Sequence, residues 1–400
     1  MGAIAPIQQD PFGADPMTNN PYISALLWVL LTVGFIVTSS FLVGVLAQFI
    51  AKLAGASKRV QGNAFNGYVF ASPWIVGFCI FVIFPMGLSL YWSFTNFRIA
   101  SPQPTQIVGL QNYSRLLLTD SGFRTSIVNT LFLTVIGLPL QMAVALLLAV
   151  MLNQKTHGER AFRMAFYLPV VLGFNTAVLL CWRMMLNTGT GIINQIIRAA
   201  INVFPPLGYL NRAVIMIVKW INAFFLGISN GNFNLLKNLV AAGFPAANRV
   251  PSWVESPLWS KMSVVLLMVW GCGTMMLIFL AGLKNIPTEM LEAAEVDGAN
   301  PWMRFWRISF PLISPYIFYN LVVGLIASMQ IFEPIWVLYR DNQPLAPSAQ
   351  SMVYYLWQST FSHMEIGYGS AISWLILIII LIVTVVQFRL QNRWVTYELY

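Results

Sequence analysis

The sequence predicts an all-α membrane protein, and three observations carry that prediction. Charged residues make up only 9% of the chain against 58% hydrophobic, where a soluble domain carries about 25% charge. Several apolar runs reach the roughly 20 residues that a helix needs to cross a bilayer core. Nowhere does the pattern alternate over the roughly ten-residue segments of a transmembrane barrel.

Seven runs meet the length requirement: 24–51, 69–94, 126–152, 164–186, 261–283, 312–338 and 369–388. Trp28, Trp74, Trp92, Trp182 and Trp259 stand near the proposed ends, where amphipathic rings favour the membrane interface. The first run follows Asp10 and Asp15, with no basic residue before Lys52. It lacks the positive leader of a secretory signal and is too long for one, so it reads as a retained N-terminal span. The division is then a tail and extra span over 1–60, followed by six core spans within 61–400.

Orientation follows from the basic residues. Lys52, Lys58 and Arg59, then Lys155, Arg160 and Arg163, then Lys284, Arg304 and Arg307, then Arg389 and Arg393 cluster in short connections. Short basic connections face the cytoplasm. Their alternation with seven spans places the N-terminus outside and the C-terminus inside. One more apolar run, 213–228, is flanked by Arg212 and interrupted by Lys219. Were it to cross, every later basic cluster would move outside. It is therefore expected as an interfacial helix within an exterior insertion, about 189–258.

The composition also excludes functions. The formal net charge is +9, but Lys and Arg are scattered rather than gathered on a stripe, so no nucleic-acid partner is expected. Cys79, Cys181 and Cys272 lie in or beside apolar runs, and His157 and His363 are far apart. Neither a disulfide nor a metal site is expected.

The stretch Glu292 to Pro315, "EAAEVDGANPWMRFWRISFPLISP", breaks the apolar character: Glu292, Glu295, Asp297, Arg304 and Arg307 fall within sixteen positions. Pro287 and Thr288 suit a helix start, through proline in the first turn and threonine as cap. Gly298 suits its end, because glycine takes positive φ freely. Pro301 opens a second short helix that leads through Pro311 into a span. A small helix outside the bilayer, presenting Ala293 and Ala294, is built for close packing by something soluble.

These residues resemble the EAA loop of binding-protein-dependent ABC importer permeases: Glu-Ala-Ala, then Asp-Gly-Ala, then a hydrophobic-Pro ending, with Phe310 at a position that is usually Leu. The stretches "VGLQNYSRLL" (108–117), "NTLFLTVIGLPLQMAVALLLAVMLN" (129–153), "FRMAFYLPVV" (162–171) and "GYGSAIS" (367–373) are similar to the sugar-type, maltose-permease-like subgroup. The resemblance implies a polytopic helical permease with six core transmembrane helices and one N-terminal helix, in a bacterial or archaeal inner membrane. It implies a coupling loop at about 284–311, in which Glu292, Ala293, Ala294, Asp297, Gly298 and Ala299 meet an ATPase. It further implies a second permease subunit, two ATP-binding-cassette ATPase subunits and an extracytoplasmic sugar-binding protein. No Gly-x-x-x-x-Gly-Lys-Ser/Thr loop occurs in the chain, so ATP and Mg are expected on the partner ATPases. The chain itself is expected to be no enzyme and to need no cofactor.

The resemblance places a cargo cavity between the spans before and after the loop. The matching positions are Trp270, Gly271 and Thr274, then Gly324, Ser328, Gln330 and Glu333. Sugars offer apolar faces and hydroxyl edges, which rings, amides and carboxylates suit. Glu333 is the one carboxylate in a proposed span, and an intramembrane carboxylate points to a wet cavity or a partner. The chain departs from the family at "YRDNQPLAP" (339–347), where Thr-x-Gly-Gly-Pro is common, and in the length of the exterior insertion. The alternative reading is an ion-coupled secondary carbohydrate transporter, but no internal repeat is visible. A membrane enzyme would need convergent acids or histidines at one face, and the EAA loop is the one acid cluster.

Overall fold

The computed structural model describes residues 21–99, 104–154, 159–173, 175–230, 250–254, 256–339 and 346–396. Among them the regular structure is helix, apart from an isolated bridge between Thr95 and Ile107. Five helices have the length and composition of a membrane span: Ser24–Leu53, Lys58–Ser93, Ser121–Asn153, Ser314–Tyr339 and Ile366–Gln391. Counting each bent pair as one span gives seven.

Both bent pairs were expected as single straight runs. Pro257–Trp270 and Gly273–Lys284 meet at 44°. Ala161–Leu172 and Thr176–Met185 meet at 110°, so the run expected at 164–186 is a broken segment rather than a straight crossing. The break follows Gly173, whose φ of +65° leaves the helical basin. The expected span 69–94 begins earlier, at Lys58.

Prolines shape several helices from within. Wide π-turns at Cys79–Ile83, Leu133–Gly137 and Phe305–Ser309 each lead directly into Pro85, Pro139 or Pro311. A proline inside a helix lacks an N–H and crowds the carbonyl four residues back. A widened turn gives that carbonyl room.

The chain divides into two units, Met1–Ser89 and Leu90–Tyr400. The first is a helical hairpin turned at Gly55, φ +73°, with Ala56 N–H returning to Ala51 O at 3.0 Å. Its helices approach closely at Gly44, where a β-carbon would stand 2.3 Å from Val69 Cγ2. Phe70, Trp74 and Phe81 are highly exposed on it, as a lipid-facing surface allows.

The second unit gathers its spans around three packed clusters. One joins Phe132, Leu133, Val264, Leu267 and Tyr339; another joins Phe123, Leu138, Met329, Ala371 and Ile372. In the third, the fully buried Ala145 and Ala149 accompany Met276 and Phe279. Small residues one turn apart let two helices come close, which is how spans pack without a hydrophobic driving force between them.

Hydrogen bonds sort the ends of these spans. At one, called here the Asp120 end, Asn129 Nδ2 donates to Gln350 O at 3.1 Å and Tyr339 OH to Ser260 O at 2.8 Å. Tyr355 and Tyr368 both donate to Asp120 there. At the opposite, Glu292 end, Thr396 N–H meets Ser314 Oγ at 2.9 Å and Asn285 Nδ2 meets Tyr316 OH at 2.7 Å.

The insertion packs on the Asp120 end. Its helix Pro206–Asn230 buries Ile215 and Val218 against Trp259, stacks Phe225 edge-on to Phe132 at 5.0 Å, and sends Asn222 Nδ2 to Leu258 O at 3.1 Å. Val214, Ile217, Trp220 and Phe224 are exposed on it. Residues 231–249 of the insertion, and 340–345 of the "YRDNQPLAP" stretch, lie outside the described residues.

Candidate functional site

The loop at the Glu292 end is built as a rigid elbow. Its first helix runs Thr288–Val296. Pro287 occupies the cap position and Thr288 is already helical, with no side-chain cap, so the expected threonine cap is not formed. Leu291 and Ile286 fasten the helix to the third core cluster, while Glu292 and Ala293 are exposed and Ala294 half-buried.

The helix ends as its glycine requires. Gly298 has φ +81°, its N–H returns to Glu295 O at 3.0 Å, and Ala299 N–H reaches Ala294 O at 2.9 Å. These are the two bonds of a Schellman ending, which satisfies carbonyls the helix leaves free. Asn300 Oδ1 then accepts Met303 N–H at 2.7 Å and starts the next turn, Pro301–Arg304. Arg304 closes the elbow with a 2.6 Å bond to Glu295. Val296 is 88% and Trp302 71% exposed. Bulky apolar side chains held in water beside a charged helix mark a contact surface.

The seven residues expected at the cargo site separate into two groups. Gly324 and Ser328 are buried in helix packing: a β-carbon on Gly324 would lie 2.4 Å from Leu138 Cδ1 and 2.6 Å from Met275 Cε. Ser328 Oγ donates to Leu325 O at 2.9 Å and lies 3.1 Å from Thr134 Oγ1, within hydrogen-bond distance. Thr274, Gln330 and Glu333 are exposed, and Gly271 and Trp270 half-buried. Trp270 meets Trp182 edge-on at 5.4 Å. The helix Ser314–Met329 ends at Gln330, and a new one begins at Glu333, so both polar side chains flank a break. A carboxylate in a first helical turn faces free N–H groups and the positive end of the helix dipole. Beside it, Phe332, Trp336, Tyr354 and Trp357 form a group of rings 6.1–6.4 Å apart. Trp270, the aromatic residue expected from the sequence, is not one of these rings; one turn of spacing from Phe332 to Trp336 is the local signal for them.

A polar network at the Asp120 end was also missed, although it joins two of the stretches quoted above. Asn112, within "VGLQNYSRLL", donates to Ser93 O and Thr95 O at 2.9 and 2.8 Å. Gly367, within "GYGSAIS", lies so close that a β-carbon would stand 2.2 Å from Thr95 O. Arg98 and Arg115 converge on Glu365, and the Arg115 guanidinium lies 4.0 Å over the Tyr368 ring. Asp120 caps the Ser121 helix by accepting Phe123 N–H at 3.0 Å. Burial pushes its carboxyl up, but bonds from Tyr355, Tyr368 and the backbone outweigh burial and hold it below the ordinary value. Burial and then the Asp120 bond raise the Tyr355 phenol.

Comparison with known proteins places this architecture. The family of binding-protein-dependent transport system inner membrane components matches residues 119–396. The chain belongs to this family. The permease is 33% identical over 344 residues to the probable ABC transporter permease protein YesP of Bacillus subtilis, covering 86% of this chain and 95% of that protein. It is 30% identical over 344 residues to the arabinooligosaccharides transport system permease protein AraP of the same organism, covering 86% and 93%. Its fold matches a solved bacterial alginate ABC transporter in complex with an alginate pentasaccharide-bound periplasmic protein, with a TM-score of 0.63 at 20% identity over 84% of this chain and 96% of that one. The all-α, multi-pass, inner-membrane character expected from the sequence is therefore that of the permease.

Proposed function

We propose that the permease forms, with a second permease subunit, the path by which a sugar crosses the inner membrane toward the cytoplasm. Two ATPase subunits dock at the Glu292 end, and a solute-binding protein docks at the Asp120 end, outside. The N-terminus lies outside and the C-terminus inside, as the basic connections require. The single observation that carries the reading is the Thr288–Arg304 elbow. Its exposed Glu292, Ala293, Val296 and Trp302 sit on a Schellman-locked bend that can pass a push from a soluble partner into the Ser314–Tyr339 span. ATP-driven closure of the ATPase pair then rocks the spans about a midplane site. ATP and Mg bind on those partners, and the permease itself catalyses nothing.

A sugar is the cargo class for two reasons. AraP is named for arabinooligosaccharides, and MsmF of Streptococcus mutans, 26% identical over 332 residues, for a multiple sugar-binding system. The geometry agrees: Glu333 and Gln330 are exposed beside grouped rings, which suits hydroxyl edges and apolar sugar faces.

The test is uptake of labelled oligosaccharides by proteoliposomes holding the purified complex. Uptake should require ATP on the Glu292 side and the binding protein on the other. Uptake driven by an ion gradient without ATP would replace this reading with secondary transport.

A further inference from the structure

At the Asp120 end a cavity of about 480 Å³ opens between the segment after Ser93 and the start of the last span. Among its lining residues are Asn96, Arg98, Gln111, Arg115, Glu365 and Tyr368. Two guanidiniums share one carboxylate: Arg98 bonds Glu365 Oε1, and Arg115 bonds Oε2 at 3.1 Å. The charge in the cavity is thus two positive against one negative, a net +1. The arginine side chains are 54% and 48% exposed, while Glu365 is 13% exposed. Each guanidinium has five N–H donors, and among the described residues each gives one bond, to Glu365. The unspent donors are fixed in direction by the carboxylate beneath them. One further carboxylate would balance the charge and take those donors in the geometry that arginine forks favour.

We propose that this cavity receives an acidic side chain of the solute-binding partner when it docks, an assignment that rests on the importer reading and on the Asp120 end facing outside. Charge complementarity selects the chemistry, and position selects the source. The lining includes no residue of the Pro257–Lys284 or Ser314–Tyr339 segments, which carry the candidate cargo residues. The occupant is therefore a group on the docking protein rather than the travelling solute. Position also gives the contact a consequence. Glu365 directly precedes the Ile366–Gln391 helix, and Arg115 lies over Tyr368, whose hydroxyl bonds the Asp120 cap of the Ser121 helix. A docked carboxylate shares the two arginines with Glu365 and so acts at the starts of two spans together.

The test measures docking of the solute-loaded binding protein of the same system on the assembled complex in lipid nanodiscs, with ATP hydrolysis as a second readout. Arg98→Gln with Arg115→Gln should raise the dissociation constant about tenfold or more, the scale of charge-assisted hydrogen bonds, and flatten its dependence on salt. Unstimulated hydrolysis should not change. Glu365→Gln, which raises the charge of the cavity from +1 to +2, should tighten docking several-fold, a sign that misfolding cannot imitate. Docking that is tight in the unsubstituted complex and unchanged in all three substitutions overturns the assignment and leaves the importer reading standing. Docking unchanged with uptake lost would assign the cavity to a carboxylated cargo and likewise overturn it. No docking and no stimulation in the unsubstituted complex would overturn the importer reading itself.

Discussion

Replacing Gly298 with alanine and, separately, with proline isolates the elbow that the coupling reading depends on. A β-carbon at Gly298 meets nothing within 4 Å, so alanine adds no clash. It adds backbone strain alone: φ is +81°, where an L-residue costs about 1–2 kcal/mol. If all that strain opposes the docked geometry, it corresponds to a fall of about 5- to 30-fold in hydrolysis stimulated by the binding protein. Proline is more severe, because its φ is locked near −65° and its N–H is gone. It cannot give the 3.0 Å bond to Glu295 O, and the next bond, Ala299 to Ala294, loses its geometry. The two arms of the elbow then point apart. The assay is ATP hydrolysis by the complete complex in nanodiscs, with and without loaded binding protein, after insertion and assembly are checked by gel filtration. Stimulation should be reduced in Gly298→Ala and absent in Gly298→Pro, with assembly intact in both. Full stimulation in the proline variant would refute the coupling argument.

Three further outcomes are expected. Gly324→Leu should overpack the contact with Leu138 and Met275 at a cost of about 1–3 kcal/mol or more, seen as a lower melting temperature of the complex; an unchanged melt would reopen Gly324 as a cargo residue. Glu333→Ala should change oligosaccharide uptake while leaving melting and assembly near the unsubstituted values, and unaltered uptake would return Glu333 to a structural role. Asp120→Asn should lose about 1–2 kcal/mol at neutral pH, allowing for partial exposure. Because folding holds this carboxyl below its ordinary 3.8, its contribution is present above that value and is lost as pH falls through the lower folded one. The melting difference between the two proteins should therefore be constant from neutral pH to about 5 and shrink in stronger acid; a difference that already vanished at pH 6 would contradict the assignment.

Much of this was legible in the chain, for physical reasons. Spans announce themselves through length and hydrophobicity, and the helix-stopping glycine and proline around Asp297 announce the elbow. The bends at Gly173 and at Gly271 were hidden, because an apolar run reads the same whether its axis is straight or broken. Helix-end details were shifted, with Pro287 rather than Thr288 at the cap, since several residue types can start a helix. Gly324 and Ser328 could equally pack or bind from sequence alone, and their neighbours, Leu138 and Thr134, lie far away in the chain. The network of Arg98, Arg115 and Glu365 was invisible for the same reason, since its partners are 267 and 250 positions apart. Its neighbours Asn112 and Gly367 did stand in quoted stretches, but nothing local says that those stretches touch.

The most direct test of the central claim is to purify the tagged permease from native membranes in mild detergent and identify what accompanies it. An ATP-binding-cassette ATPase and a second permease with its own EAA loop are expected to accompany it. A chain that came away alone, and still moved sugar into liposomes without ATP, would contradict that claim.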